Sequence, residues 1–373
     1  MKIALDAMGH DDGPAKLIEG AALALGEFPE ISQLILTGDT PRLEAELKRI
    51  GCHDRRIQIV HTTQVVEMHD SGIDAVRRKK DSSVSRAVDL VKSGDAQAVV
   101  SAGNTGAAVS AATIKLRTLP GIERPAIATH MPTEGGGNFI LCDAGANPDP
   151  TPRQIQDNAI MALAYCRHVV GKANPTAGLL SNGEEEFKGN ELTLAAHTLL
   201  KNCGLNFHGN VEGHDLFAGT VDVVVTDGFT GNVVLKTSEA LAKSIFRLLK
   251  GELMKTPIRK AGALLCKPAF RAVHNVTNAD NYGGMPLLGV NGVCIIAHGG
   301  SSPIAVKNAL RMAVQSILHQ VNPHIIEEAQ RHHDDLKEGS PPRTPGPSHN
   351  ADGEQQHDHS AHAQPHGQSL ALE

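Results

Sequence analysis

Tryptophan is absent, and two tyrosines and eight phenylalanines are the only other aromatic residues in the chain. So few ring faces leave little scope for stacking on bases, which argues against a single-strand nucleic-acid binder; no nucleic-acid partner is expected. No run of eighteen apolar residues occurs, so no segment spans a membrane by itself. The six cysteines, Cys52, Cys142, Cys166, Cys203, Cys266 and Cys294, form no CxxC pair and mostly sit in apolar runs. They read as reduced, buried thiols of a cytoplasmic protein. The opening MKIALDAMGHD reads as a strand and a loop, not a signal peptide. Neither a GxxxxGK[ST] loop nor a GxGxxG after the first strand is present. There is no HExxH, and His130, His208, His214 and His298 stand isolated, as loop or core histidines do. No Ser-His-Asp arrangement is readable.

What the chain does contain suits a globular protein with a sizeable core: 40% hydrophobic and 20% charged residues over 373 positions. The net charge of −6 is unevenly spread. Residues 331–373 hold three Lys/Arg against seven Asp/Glu, which leaves the rest of the chain close to neutral. Any charged partner must therefore meet a local patch. The same segment holds seven of the 20 His and is rich in Pro, Gln and Ser. It reads as a disordered tail, because it lacks the apolar surface to offset ordering entropy. Residues 1–330 read as one α/β catalytic domain. Short apolar runs such as KIALDA, QLILT and QAVVS alternate with helical patterns from the start. That alternation predicts a mostly parallel sheet with helices on both faces. Residues 232–272 predict a helical hairpin, broken at Thr256-Pro257, with Lys255, Arg259 and Lys260 set beside Leu264 and Leu265. A dimerisation element and a contact with an anionic membrane or an acidic protein both fit it.

Three strand–loop–helix constructions carry the chemical signal. They contain Gly103-Asn104-Thr105-Gly106, Gly228-Phe229-Thr230-Gly231-Asn232 and His298-Gly299-Gly300-Ser301-Ser302. Each is expected to set backbone N–H groups and a helix dipole at the C-terminal edge of the sheet, where an anion is held. Taken as converging, they point to a phosphate or phosphoryl site. Two polar loops join them: Asp143, Gly145 and Asn147 after one strand, and the stretch GEEEFKGNE, which carries Lys188, after another. Asp6, Asp143 and Asp227 end strands and offer a weak Mg²⁺ set beside phosphate; no metal and no cofactor is expected.

LDAMG, RRKKDSS, VSAGNTGA, LCDAGAN, GEEEFKGNE, FHGNVEGHD, VDVVVTDGFTGNVVLKTSEA and PLLGVNGVCIIAHGGSS follow one another in this order. Together they closely resemble the bacterial PlsX-type phosphate acyltransferases, over about residues 1–325. The resemblance implies a fold like that of phosphotransacetylases and isocitrate dehydrogenases. It implies transfer of a fatty acyl group from acyl carrier protein to inorganic phosphate, giving acyl phosphate for a membrane glycerol-3-phosphate acyltransferase in phospholipid synthesis. It further implies a homodimer, cytoplasmic with peripheral membrane association. Lys188 and Asn232 match the family and are the expected catalytic residues. Gly103, Asn104, Thr105, Gly106, Asp143, Asn147, Gly228, Thr230, Gly231, His298 and Ser301 are the expected substrate contacts. Lys255, Arg259, Lys260, Leu264 and Leu265 are the expected membrane or carrier contacts. His10 departs from the pattern, standing where the family usually has Gly. A coenzyme A-using phosphotransacetylase and a non-catalytic scaffold remain as rival readings.

Overall fold

The computed structural model describes residues 1–338. The β–α alternation forms as expected through β1 (Lys2–Asp6), α1 (Ala15–Glu27), β2 (Gln33–Gly38), α2 (Thr40–Arg49), β3 (Ile57–His61), α3 (Gly72–Arg78), α4 (Ser83–Ser93), β4 (Ala98–Ser101) and α5 (Thr105–Leu116). Two strands then follow with no helix between them, β5 (Ala126–Pro132) and β6 (Asn138–Cys142). Alternation resumes with α6 (Pro152–Tyr165), β7 (Ala177–Leu180), α7 (Glu191–Asn202), β8 (Phe207–Val211), α8 (Gly213–Ala218), β9 (Val223–Val225) and α9 (Gly228–Leu253). The chain continues through α10 (Pro257–Leu265), α11 (Lys267–Thr277), β10 (Met285–Leu288), β11 (Val293–Ile296), α12 (Pro303–Leu318) and α13 (Val321–Glu338).

All the strands join one eleven-stranded sheet in the order β3-β2-β1-β4-β11-β10-β5-β6-β9-β7-β8. Seven of its ten pairings are parallel, so the sheet is mostly parallel. The three antiparallel pairings, β11/β10, β10/β5 and β5/β6, are consecutive at its centre. Because they are odd in number, the β6-β9-β7-β8 block runs opposite to the β1-β2-β3-β4-β11 block. Period-two alternation fills both faces. Ile3 and Leu5 join the core cluster beneath α1, α6, α12 and α13, while Ala4 joins the one beneath α4 and α5.

Capping residues set where the helices begin. Thr151 and Gln154 form a reciprocal capping box at α6, and Asn190 and Thr193 form another at α7. The domain does not end at residue 330. Helix α13 runs to Glu338, held by a hydrogen bond from His332 Nδ1 to the Cys203 carbonyl (2.7 Å) and by His333 against Asp157. Composition hid this, because the anchors described there, His332 and His333, are histidines. The disorder expected for the tail concerns residues 339–373, which lie outside the described residues. Cys142, Cys166, Cys203 and Cys294 are buried, whereas Cys266, between α10 and α11, is exposed. Burial pushes the Cys166 and Cys294 thiols up to about 12, which suits inert core residues.

His130 is a satisfied histidine of β5. It stacks on Tyr282 (5.7 Å between centroids, 5°), with Asn138 Oδ1 and the Tyr165 hydroxyl each 3.2 Å from a ring nitrogen. Burial, with Arg311 as a nearby like charge, lowers its pKa below the ordinary 6.5. The unfolded chain therefore takes up this proton first as pH falls. The stability that neutral His130 contributes is present above about 6.5 and is lost on acidification below it. The urea midpoint of the native protein is expected to fall between pH 7.5 and 5.5. A His130→Gln variant should show a shallower fall; equal slopes would remove His130 from that dependence.

Candidate active site

Reversal of the second block of strands decides which loops meet. The C-terminal ends of β1, β4 and β11 share one edge of the sheet; those of β6, β9 and β7 lie at the opposite edge. The three Gly-rich loops therefore do not converge within one chain, contrary to expectation. Gly103–Gly106 and His298–Ser301 sit at the first edge, and Gly228–Asn232 sits at the other with the Asp143 and Lys188 loops.

At the first edge the loops hold one another. A Cβ on Gly9 would lie 2.7 Å from the Gly103 Cα, and Ser101 Oγ donates to buried Asp6 (2.7 Å). Asn104 spends its side chain on structure. Its Oδ1 caps α5 at Ala107 N–H, and its Nδ2 donates to the carbonyls of Glu67, Met68 and Asp70. Those bonds commit the Asn104 side chain to the loop itself, so a ligand there would meet the loop's backbone. His10, unusual in the sequence, has a structural role. Its Nδ1 accepts from Asp12 N–H, so Nε2–H donates to the carbonyl of buried Ser301 (2.9 Å). His298 is exposed, with Nδ1 accepting from Gly300 N–H.

The second edge gathers Asp143, Gly145, Asn147, Gly228, Thr230, Gly231, Asn232 and Lys188. Asp143 is fully buried. Its carboxylate accepts from the N–H groups of Ile127, Gly145, Ala146 and Asn147 at 2.6–3.0 Å. Burial pushes its pKa up, while the four donors favour the anion. Both oxygens are thus occupied, so Asp143 shapes the loop rather than touching substrate. Asn147 donates to the Pro125 carbonyl and accepts from Gly228 N–H through its own. Helix α9 starts hard against this loop: a Cβ on Gly228 would lie 2.7 Å from the Asn147 carbonyl oxygen, and one on Gly231 only 2.0 Å from that of Asp143. The N–H groups of Gly228, Thr230 and Gly231 are all taken, by Asn147, the Asp227 side chain and the Asp227 carbonyl. The cradle of free N–H groups expected at 228–231 is therefore largely used up. What remains to face a ligand is the positive end of a 26-residue helix and the exposed side chain of Asn232, which lies against Gly145.

Lys188 sits on the loop after β7, the parallel neighbour of β9, so Asn232 and Lys188 follow adjacent strands at one edge. The lysine is half-buried, with its ammonium 5.8 Å from the Phe187 ring centroid. Three glutamates precede it, yet Glu186 pairs with Lys201 (2.6 Å) and Glu184 lies 3.8 Å from His214. Among the described residues no carboxylate lies within ion-pair distance of Lys188, which leaves its charge for an anion. His214 is not isolated, since it sits among Glu184, Glu212 and Asp215.

The residues matched by the family model of the fatty acid synthesis protein are 1–324. A phosphate acyltransferase from Akkermansia muciniphila is 50% identical over 337 residues, covering 89% of this chain and 96% of that protein. The chain belongs to the fatty acid synthesis protein family. It is accordingly an acyltransferase of lipid synthesis. A phosphate acyltransferase from Geobacter sulfurreducens is 47% identical over 88% of this chain and 94% of its own length. The fold is that of phosphotransacetylases. The Streptococcus pyogenes enzyme superposes with a TM-score of 0.56 at 19% identity, covering 89% of this chain and 94% of that one. EutD phosphotransacetylase from Staphylococcus aureus gives 0.54 at 16%, with the same coverage.

The hairpin beyond α9 differs in detail from expectation. The returning segment is two helices, α10 and α11, with Cys266 between them, and no residue of either is buried. Ile258, Leu264 and Leu265 are 85%, 70% and 82% exposed, an apolar tip among Lys255, Arg259 and Lys260. Leu264, Lys267 and Arg271 line a shallow pocket there. Among the described residues no helix is long and apolar enough to cross a membrane.

Proposed function

We propose that this enzyme transfers a fatty acyl group from acyl carrier protein to inorganic phosphate and releases acyl phosphate. The observation that carries the reading is a single sheet edge bearing Lys188, which has no ion-pair partner among the described residues, an exposed Asn232 and the N-terminus of α9. Inorganic phosphate is already a nucleophile near neutral pH, and a thiolate is a fair leaving group, so little general acid–base power is required. A phosphate oxygen attacks the thioester carbonyl, the O–C bond forms, and charge collects on the carbonyl oxygen. Collapse breaks the C–S bond, and the carrier thiolate takes its proton from water. In this scheme Lys188 neutralises phosphate or the oxyanion, and Asn232 donates to the oxyanion or orients phosphate. The test is loss of acyl-carrier protein with and without phosphate, in the presence of EDTA. Phosphate-dependent turnover supports the reading. Turnover with acyl-coenzyme A alone would favour a phosphotransacetylase-like enzyme, and none with either a scaffold.

The product is a lipid whose consumer is a membrane glycerol-3-phosphate acyltransferase in this reading, and the carrier is acidic. The exposed Leu264 and Leu265 between cationic residues suit peripheral contact with an anionic bilayer. Co-sedimentation with anionic liposomes is expected and should drop several-fold in Leu264→Glu/Leu265→Glu; unchanged sedimentation removes the tip from this role. A homodimer completes the reading, supported by the exposed apolar residues along α9, Leu241, Ile245 and Leu248 among them.

A further inference from the structure

The loop that carries Lys188 is fastened from below at one point. Asn210, on β8, is 4% exposed and donates from Nδ2 to the Glu185 carbonyl (2.9 Å). That same carbonyl accepts from Lys188 N–H (2.9 Å), closing the turn that presents the lysine. A backbone oxygen thus links one buried amide to the base of Lys188. The side of the turn is closed as well, because a Cβ on Gly183 would lie 2.7 Å from Lys188 Cγ. Behind it, Asn190 and Thr193 lock the start of α7. The other end of the Asn210 amide is unusual. Among the described residues its buried Oδ1 has no hydrogen-bond partner, nor has the Oγ of Ser181 on the neighbouring strand end. A buried acceptor without a partner costs about 1–3 kcal/mol. An apolar residue of similar size would avoid that cost, so packing alone does not explain an asparagine here. The N–H donated to Glu185 does.

We propose that Asn210 is a positioning residue for acyl transfer: through the Glu185 carbonyl it sets where the Lys188 ammonium stands. This inference rests on the assignment of Lys188 to the reaction. Misplacing such a group by about 1 Å lowers a rate by roughly a hundredfold. The experiment measures phosphate-dependent turnover of acyl-carrier protein by the full chain, native and with Asn210→Asp, Asn210→Ala, Lys188→Ala and Lys188→Ala/Asn210→Asp. Asn210→Asp keeps the volume and the acceptors but loses the N–H. A drop in kcat of about 10- to 100-fold, with KM for acyl-carrier protein near native, is expected from enzyme that circular dichroism shows to be folded; the melting temperature falls in Asn210→Asp, because its buried carboxylate faces the Glu185 carbonyl. In the Lys188→Ala background the second change should add nothing, because the lysine it positions is gone. A merely structural role would lower the rate in both backgrounds. Native-like kcat in Asn210→Asp, or a further loss in the double variant, overturns the proposal. So does failure of both Asn210 variants to fold, which would make Asn210 a residue of the core. Near-native turnover in Lys188→Ala would instead sink the parent assignment, and that single variant reports it separately.

Discussion

Lys188→Ala is expected to lower kcat by about 100- to 1,000-fold, the range seen when a fixed oxyanion-stabilising group is removed. The folded state should survive. The side chain is half-buried, and among the described residues it makes no ion pair, so its loss leaves no buried charge uncompensated. Its stem packs on Gly183, which limits the loss in stability to a fraction of a core truncation. Lys188→Arg is expected to recover only part of the rate, because a planar guanidinium does not reproduce a compact ammonium. Single-turnover rates on enzyme checked by circular dichroism decide the matter. Turnover within twofold of native in Lys188→Ala would falsify its assignment.

Gly231→Ala is expected to have the largest effect on folding. The added methyl would stand 2.0 Å from the Asp143 carbonyl oxygen, closer than any non-bonded contact; that oxygen is backbone, and the methyl is fixed directly to backbone. Neither can move cheaply. Asp143 is held through four N–H donors, and Gly231 lies in the first turn of α9, whose cap Asp227 is engaged with Thr230. Overpacking of this kind costs about 3 kcal/mol. For a chain of this size that is a drop in melting temperature on the order of 5 °C or more. Activity should fall further than stability explains, because the displaced helix carries Asn232. Calorimetry and turnover on the same preparation separate the two effects. A native melting temperature would mean that the α9 start relaxes away from the loop without cost.

The strands that lead into the second edge are legible in the sequence. GEEEFKGNE and VTDGFTGN each place a polar side chain just after an apolar run, and the structure puts both runs into adjacent strands, β7 and β9. Some helix starts signal locally, as the Asn190 and Ser302 caps of α7 and α12 do, but α9 begins at Gly228 rather than at Asn232, because Asp227 caps it. What could not be read is where a polar group spends its bonds. Asn104, Asp143 and Asn147 look alike in sequence as candidate ligands. In the fold Asn104 and Asn147 are consumed by segments from elsewhere in the chain and Asp143 mainly by its own loop, and the amide of Asn232 is left exposed. Asn210 was visible only inside the family motif FHGNVEGHD, with no sign of its role, because its partner lies 25 residues away.

Periodicity comes from the chain alone. Two-residue alternation and short apolar runs set the strands, and capped amphipathic stretches set the helices. These depend on neighbours within one or two turns, and so they are written locally. Strand direction is not. The absence of a helix between β5 and β6 and the late return of β10 beside β5 make three antiparallel steps in the middle of the sheet. Only the tertiary structure decided that the Gly103 and His298 loops face away from the edge that carries Lys188 and Asn232. The physical reason is that pairing partners far apart in sequence are chosen by the burial of whole sheet faces, which no local pattern encodes.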